Sequence, residues 1–336
     1  MTIRAKDIAS MLNISPSTVS LVLNNKPGIS EETRIQVIEK INELGCGYIL
    51  KKPPKAGRNI CFAVYVRTGE MIGESPFFAI FMEGLSDRVS ENGYNLIFSR
   101  IDKTLSLRSN LDQIKSSNSD GLIILATEML LDDLADIKTL GLPFILLDNH
   151  FYGEDIDSIS INNDQGTYTA VKYLVGLGHK NIGYVKSKVF INSFQERFEG
   201  YKKALSAFNL EVNENNIYPV GYSEEASFAD MKSFLDKSRN IPTALMSDND
   251  MLAFGAIRAL KQKGYKIPRD ISVFGFDDRP ICLLSDPKIS TIHVPTNIFG
   301  TLAVDLLIER IENRRTESLE IEVSTKLIER NSSRMQ

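Results

Sequence analysis

The sequence predicts an α/β protein, in which a small all-helical module at the N-terminus precedes a large domain built on parallel sheets. Short amphipathic helical segments fill the first 45 residues, and from Asn59 onward apolar runs alternate with helical stretches. Residues 1–58 hold nine Lys and Arg against five Asp and Glu, a net charge of +4, whereas the whole chain carries −4. A basic end on an acidic body predicts a polyanionic partner for that end alone.

The bulk properties exclude several classes of protein. At 336 residues, with 43% apolar and 24% charged residues, the chain suits a small module joined to a two-lobed domain. Its first residues lack an apolar signal segment, and no apolar run approaches the ~20 residues that span a bilayer, so we expect a cytoplasmic protein without membrane contact. Cys46, Cys61 and Cys282 have no CxxC spacing, so we expect no disulfide frame, metal site or cofactor.

Three short helices are predicted in the N-terminal module. The first covers Ala5–Leu12 and ends at Asn13, a residue type that tolerates the left-handed backbone of a tight turn. The second covers residues 16–24, because a serine followed by a proline is a strong helix start. The third lies between Ser30 and Gly45. Short helices joined by one tight turn predict a helix-turn-helix.

The segment KDIASMLNISPSTVSLVLNNKPGISEETRIQVIEKINELG is similar to the DNA-binding headpiece of the LacI/GalR repressor family. The resemblance implies that the second helix enters the major groove. The base-reading positions would then be Pro16, Ser17 and Leu21. The positions nearer the DNA backbone or on phosphates would be Ser15, Thr18, Ser20, Asn24, Ser30 and Thr33.

Simpler roles compete with these. Ser15 and Ser30 suit plain helix capping, which is compatible with a phosphate contact. Leu21 is either an ordinary exposed leucine or a contact to a thymine methyl group. Because no Arg, Gln or Asn occupies a base-reading position, we expect modest direct base specificity.

The segment after the third helix departs from the family. LacI/GalR repressors usually carry a Tyr-x-Pro-Asn stretch and an Ala-Arg-x-Leu hinge helix here, whereas this chain has GCGYILKKPPKAGRN. Two prolines would break a helix beyond Lys52, so we expect an atypical linker over 48–58. Leu50 is the candidate minor-groove wedge. The candidate phosphate contacts are Lys51, Lys52, Lys55 and Arg58, although a basic proline-containing stretch also suits a solvated linker.

The large domain, 59–336, is predicted to form two lobes with a cleft between them. We expect the first lobe at about 59–161 plus 293–323 and the second at about 162–292 plus 324–336, after a headpiece at 1–47. The predicted strands are Ile60–Val66, Asn95–Ser99, Gly121–Leu125, Phe144–Leu147, Ile182–Val185, Ala244–Met246 and Ser272–Phe276. The predicted helices are Phe77–Asn92, Gly166–Leu177, Phe194–Ala207, Ala226–Lys237 and Asp250–Lys263.

Phrases such as GLPFILLDN, FQERFEGYKKAL, PTALMSDNDMLAFGAIRAL and IPRDISVFGFDD resemble the same family's effector domain, which has the periplasmic-binding-protein-like fold. The resemblance implies hydrogen-bonding groups for a small effector at Asp148, Arg197, Asn249 and Asp277. It implies stacking or shape-setting groups at Phe77, Phe78 and Tyr222. Carboxylates and a guanidinium suit adjacent hydroxyls, and aromatic faces suit C–H surfaces, so this chemistry favours a carbohydrate.

Each of these residues also has a structural interpretation. Arg197 would be a surface cation paired with Glu199, the Phe77-Phe78 pair would belong to the core, and Asp277 would cap a turn. The matching phrases together favour the functional role for Arg197 and Asp277 and leave the roles of Phe77, Tyr222 and Asp148 open.

The resemblance implies a homodimeric repressor of carbohydrate-utilisation genes that binds a pseudo-palindromic double-stranded DNA operator and responds to a small effector. Two other classes compete. An enzyme is disfavoured because the sequence contains no GxxxxGK[ST] or GxSxG motif. A solute-binding protein on the same α/β fold would have no use for the headpiece.

Overall fold

The computed structural model describes residues 4–23, 26, 28–44, 58–71, 77–237 and 241–336, with the backbone alone over 77–83. The first three helices, α1 (Ala5–Leu12), α2 (Pro16–Leu23) and α3 (Glu31–Glu43), form the headpiece. Asn13 ends α1 in the left-handed region at φ 55°, as its residue type predicts. The helices share one apolar core of Ile8, Ala9, Val19, Val22, Val37 and Ile41. The predicted helix-turn-helix is therefore confirmed.

The strands of the first sheet are β1 (Asn59–Val66), β2 (Asn95–Asp102), β3 (Ser119–Leu125), β4 (Phe144–Leu147), β5 (Asp157–Ile161) and β11 (Glu320–Val323), and its helices are α4 (Phe77–Glu91), α5 (Leu107–Ser116), α6 (Leu134–Lys138) and α12 (Asn297–Ile311). The sheet is parallel throughout, in the order β11-β5-β4-β3-β1-β2. Alternate residues of β1 pack on opposite faces: Phe62 joins α4 and α12, whereas Ala63 joins α5 and α6. This two-sided burial explains why β1 is a continuous apolar run.

The second sheet and the ribbon beside it consist of β6 (Ile182–Ser187), β7 (Ile217–Val220), β8 (Ala244–Ser247), β9 (Ser272–Phe274), β10 (Thr291–His293) and β12 (Lys326–Ile328), and the helices are α7 (Asn163–Gly176), α8 (Asn192–Ala207), α9 (Glu224–Lys237), α10 (Asp250–Gln262) and α11 (Ile281–Leu284). The sheet has the parallel order β7-β6-β8-β9 and is also covered on both faces. One face packs against α7 and α8, and the other packs against α9 and α10. An antiparallel ribbon of β10 and β12 lies beside β9.

The chain passes between the two sheets three times, after β5, after β10 and after β11. The first sheet is therefore built from two segments of the chain, 59–161 and 320–323, whereas the four strands of the second sheet come from the single segment 182–274. Within the described ranges, no helix is long and apolar enough to cross a membrane.

Several elements do not appear among the predicted ones. β5 alternates polar and apolar residues, β7 contains Pro219 at a sheet edge, and β11 is a half-exposed edge strand, so none of the three has an apolar run. α12 is buried between α4 and the first sheet and is apolar around most of its circumference, which weakens its helical periodicity. The strand predicted to reach Phe276 ends at Phe274.

Candidate effector cleft and candidate DNA-binding face

Arg197, on α8, connects three separate segments. Its side chain is buried, and Nε donates to Asn163 Oδ1 at 2.8 Å while Nη1 donates to the Asp248 carbonyl oxygen at 2.6 Å. Nη2 lies 3.1 Å from Asp277 Oδ1, and the guanidinium stacks 3.8 Å from the centre of the Phe276 ring. The alternative of a surface cation paired with Glu199 is therefore wrong, since Glu199 pairs with Lys202.

Asp277 lies in the turn after β9 with φ 105°, in the left-handed region. This backbone directs its carboxylate to two guanidiniums, that of Arg197 and that of Arg279, whose Nε lies 3.2 Å from Oδ2. Tyr222 belongs to the same cluster, because the charges of Arg279 and Asp277 act on its hydroxyl, whose pKa burial raises. The Tyr222 hydroxyl makes no hydrogen bond of regular geometry to any described residue. The Arg279 guanidinium interacts with this hydroxyl, so a bound ligand would supply a further partner to it.

Asn249 caps α10, since its Oδ1 accepts the Leu252 amide at 3.0 Å. Its Nδ2 is buried and has no partner among the residues that the structure describes, so Asn249 keeps two N–H donors for a ligand. Asp248, the preceding residue, accepts the Tyr184 hydroxyl and the Ser187 amide, both at 2.6 Å. Burial raises the pKa of the Asp248 carboxyl to about 7.

Asp148 approaches this cluster from the first sheet. It follows β4 directly, with φ 64°, and its Oδ2 accepts the Thr127 hydroxyl at 2.6 Å. Burial raises the pKa of the Asp148 carboxyl to about 6, while the charge of Arg197 lowers it and that of Asp277 raises it. Asp148 therefore lies near enough to Arg197 and Asp277 for their charges to act on its carboxyl group.

A direct hydrogen bond joins the two sides of the cleft. Asn149 Oδ1, beside Asp148, accepts from Asn192 Nδ2 at 2.8 Å. Asn149 Nδ2 in turn donates to the carbonyl oxygens of Ala126 and Met129, which fixes the orientation of its amide.

Five of the seven predicted effector residues are thus grouped around Arg197: Asp277 pairs with it, its charge acts on Asp148 and Tyr222, and Asn249 follows Asp248, whose carbonyl oxygen accepts from it. The side chains of Phe77 and Phe78 lie outside the described residues, although α4 does begin at Phe77. Another hollow, of about 360 Å³, contains none of the predicted residues and is lined by four acidic side chains together with His150, Asn192, Gln195 and Lys203.

On the headpiece, both predicted capping interactions are present. Ser15 Oγ accepts the Thr18 amide at 3.0 Å, and Ser30 Oγ accepts the Thr33 amide at 3.2 Å. Ser15 Oγ also lies 2.6 Å from Ser17 Oγ. The capping interpretation is therefore confirmed for both serines, and their phosphate contacts stay predictions.

The start of α2 forms an exposed, uncharged surface. Pro16, Ser17 and Ser20 are exposed, Thr18 and Leu21 are partly buried, and Val19 and Val22 of the same helix point into the core. The predicted contacts Asn24, Leu50 and Lys51, and nearly all of the atypical linker, lie outside the described residues.

Arg58 is fixed to the first sheet. Its Nε lies 3.0 Å from Asp120 Oδ2, and its guanidinium lies 4.8 Å from the centre of the Tyr94 ring. The structure therefore does not favour the phosphate contact that the sequence suggested for Arg58.

Comparisons with known proteins agree with both halves of the chain. The model described as bacterial regulatory proteins, lacI family, matches residues 4–48, and that of a periplasmic binding protein-like domain matches 171–333. The HTH-type transcriptional repressor PurR of Histophilus somni is 30% identical over 335 residues, which cover 97% of this chain and 98% of that protein. The Ribose operon repressor of Haemophilus influenzae is 33% identical over 316 residues, 92% of each chain.

The chain belongs to the lacI family of bacterial regulatory proteins. A LacI family regulator from Enterococcus faecium with bound ribose is 27% identical and has a TM-score of 0.69. The alignment covers 82% of this chain and 99% of that regulator. The lac repressor dimer bound to operator is 22% identical with a TM-score of 0.72, covers 99% of this chain and 100% of its own, and shows the shared fold.

This LacI-family protein is a DNA-binding transcription regulator with a small-molecule effector, and it is not an enzyme. Sequence reasoning missed several residues of its cleft. Arg279 lies two residues after Asp277, so its sequence position was a usable signal. Phe276, directly before Asp277, offered the same signal, whereas Asn163 carries none, because it reaches Arg197 through the packing of α7 on α8.

Proposed function

We propose that this regulator is a homodimeric, cytoplasmic repressor of carbohydrate-utilisation genes, which binds a pseudo-palindromic operator through α2 of each headpiece and responds to a sugar bound in the cleft. The headpiece is assigned to 1–47, the linker to 48–58, and the effector and dimerisation domain, with its two lobes, to 59–336. One observation carries the effector assignment. Buried donors and acceptors converge on the cleft, and the buried Asn249 Nδ2 has no hydrogen-bond partner among the described residues.

The chemistry of the cleft favours a sugar. Asp148 and Asp277 offer carboxylate oxygens, and Asn249 offers amide donors, which together suit vicinal hydroxyl groups. The Phe194 and Tyr222 rings, 6.2 Å apart, offer apolar faces for C–H groups. The ribose operon repressor and the ribose-bound regulator support D-ribose as the first candidate.

The dimer proposal has support from an exposed apolar element. α11 presents Leu283 and Leu284, which are 56% and 80% exposed. α11 begins two residues after Arg279, which pairs with Asp277 in the cleft. The lac repressor structure, which has the same fold, is a dimer bound to its operator.

The DNA-binding half is tested by selecting binding sites from a library of duplexes with a random core. We expect the selected duplex to contain two inverted half-sites and its affinity, measured by fluorescence anisotropy, to fall as salt rises, because phosphate contacts release counterions. Ser17→Ala should weaken binding. Ser10→Ala, on the exposed face of α1, serves as the matched control. Equal affinity for the selected and a scrambled duplex at every salt concentration would refute the proposal.

The effector half is tested with D-ribose. At 100 times its Kd, a ligand should add about 2.7 kcal/mol to the free energy of unfolding. If ribose alters operator affinity by some factor, operator must alter ribose affinity by the same factor. The absence of any thermal shift with ribose would reject ribose as the effector and leave the DNA-binding proposal standing.

A further inference from the structure

The loop after β1, residues 67–71, is folded around one buried carboxylate. Glu128 Oε2 accepts the backbone N–H groups of Arg67, Thr68 and Gly69 at 2.8, 2.8 and 3.0 Å, and Oε1 accepts that of Met71 at 2.8 Å. Gly69 has φ +79°, a conformation that favours glycine and lets successive amides converge. Four charge-assisted hydrogen bonds to one side chain give this loop a fixed shape.

The fixed loop carries Met71 to the far side of the cleft. Met71 is 6% exposed and packs in one cluster with Ile191, Phe194 and Tyr222. Ile191 precedes α8, Phe194 lies on α8, and Tyr222 follows β7, so all three come from the side of the second sheet. Met71 comes from the first sheet, and the cluster is therefore an apolar contact between the two sides.

The cluster is continuous with the polar part of the cleft. The Arg197 guanidinium lies 5.6 Å from the centre of the Phe194 ring, and the Tyr222 ring lies 6.2 Å from that of Phe194. Met71 therefore covers the aromatic wall on which an effector held by Arg197 would rest. Methionine suits such a position, because its unbranched thioether adapts to different shapes and packs well on aromatic rings.

We propose that Met71 is a specificity-determining residue that caps the effector cleft, and that Glu128 is the positioning residue that holds it there. This inference rests on the proposed effector function. A sugar bound at Arg197 lies beneath the Met71 side chain, which contacts its C–H face and limits its length at that end. Entry and release of the sugar require Met71 to leave Phe194 and Tyr222.

The contact itself is tested without ligand, by hydrogen–deuterium exchange on the full-length protein. We expect Met71→Ala and Glu128→Gln to raise the exchange rate of residues 189–194 and 221–223, across the cleft. Met71→Leu should leave the exchange rate of these residues at the wild-type level. Met335→Ala, at a 70% exposed methionine, and Glu154→Gln, in a surface pair with Lys138, are the matched controls. Faster exchange confined to residues 67–71 would show a local structural role and overturn the inference.

The effect on ligand binding is measured with D-ribose by titration calorimetry. Met71→Ala should raise the Kd about tenfold, corresponding to about 1.4 kcal/mol, and Met71→Leu should bind nearly as well as the wild type. Unchanged ribose affinity in Met71→Ala would also overturn the inference. If the wild-type protein does not bind ribose, the proposed effector fails, and the exchange experiment alone decides whether Met71 spans the cleft.

Discussion

The headpiece and the cleft assemble polar side chains in opposite ways. Ser15 finds its partners, Ser17 and Thr18, within three residues of itself and remains exposed. Arg197 is buried, and its partners Asn163 and Asp248 lie 34 and 51 residues away along the chain. The headpiece surface therefore follows from local sequence, whereas the cleft exists only after two sheets have formed and packed.

The largest expected effect tests the long-range half of this comparison. Arg197→Ala removes a buried cation and leaves Asp277 and Asn163 without their partner, so we expect the free energy of unfolding of the large domain to fall by about 3–5 kcal/mol. The response to effector should be lost as well. Calorimetry measures the first effect, and operator binding with and without D-ribose measures the second.

Lys202→Ala, in a surface pair on the same helix, is the control and should change stability by less than about 1 kcal/mol. Normal stability of Arg197→Ala would show that the guanidinium network adds nothing to the fold. The loss of stability is expected in addition to the loss of the effector response because the Arg197 side chain is buried.

A pH dependence is the next largest effect. Folding raises the pKa of the Asp148 carboxyl to about 6. Between about pH 4 and 6 this carboxyl is therefore protonated in the folded protein but ionised in the unfolded chain. The stability that this proton contributes is present at pH 4 and is lost as the pH rises through 6. A shift of this size corresponds to about 2–3 kcal/mol.

Urea unfolding of the wild type and of Asp148→Asn across pH 4–7 checks this effect. The wild type should lose stability relative to Asp148→Asn as the pH rises. Asp286→Asn, at a carboxylate whose side chain is 95% exposed, should follow the wild-type curve. Parallel curves for the wild type and Asp148→Asn would contradict the raised pKa.

A smaller effect is expected at two glycines of α7. A Cβ atom on Gly166 would lie 2.8 Å from Cε2 of Phe276, the ring that stacks on Arg197, so we expect Gly166→Ala to destabilise the large domain by about 1–3 kcal/mol. Gly176→Ala in the same helix meets no described atom within 4 Å and should be neutral or slightly stabilising. Equal effects at the two positions, measured by thermal unfolding, would show that the Phe276 contact is not tightly packed.

The smallest effect belongs to the headpiece. Ser15→Ala removes the N-cap of α2 and should cost about 1 kcal/mol of headpiece stability, without moving the unfolding transition of the large domain. Circular dichroism of the full chain resolves the two transitions. A shift in both would break the contrast between local and long-range assembly.

The sequence predicted elements whose signals are local. The end of α1 at Asn13, the caps at Ser15 and Ser30, and the apolar strands β1 and β4 all follow from neighbouring residues. The partners of Arg197 cannot be predicted in this way, because they lie far from it along the chain. A Cβ on Gly200 would lie 2.4 Å from the Asp164 carbonyl oxygen, so this glycine allows α8 to approach α7 closely enough for Arg197 to reach Asn163.

The late position of α12 and β11 in the chain has a consequence for synthesis. α12 covers the face of the first sheet that contains Phe62, and β11 completes its edge beside β5, yet both follow the whole second sheet in sequence. A nascent chain that has not reached residue 297 therefore exposes an apolar sheet face on the ribosome, where chaperones bind such surfaces. Translation that stops early would release an aggregation-prone fragment that contains the headpiece but lacks the completed large domain.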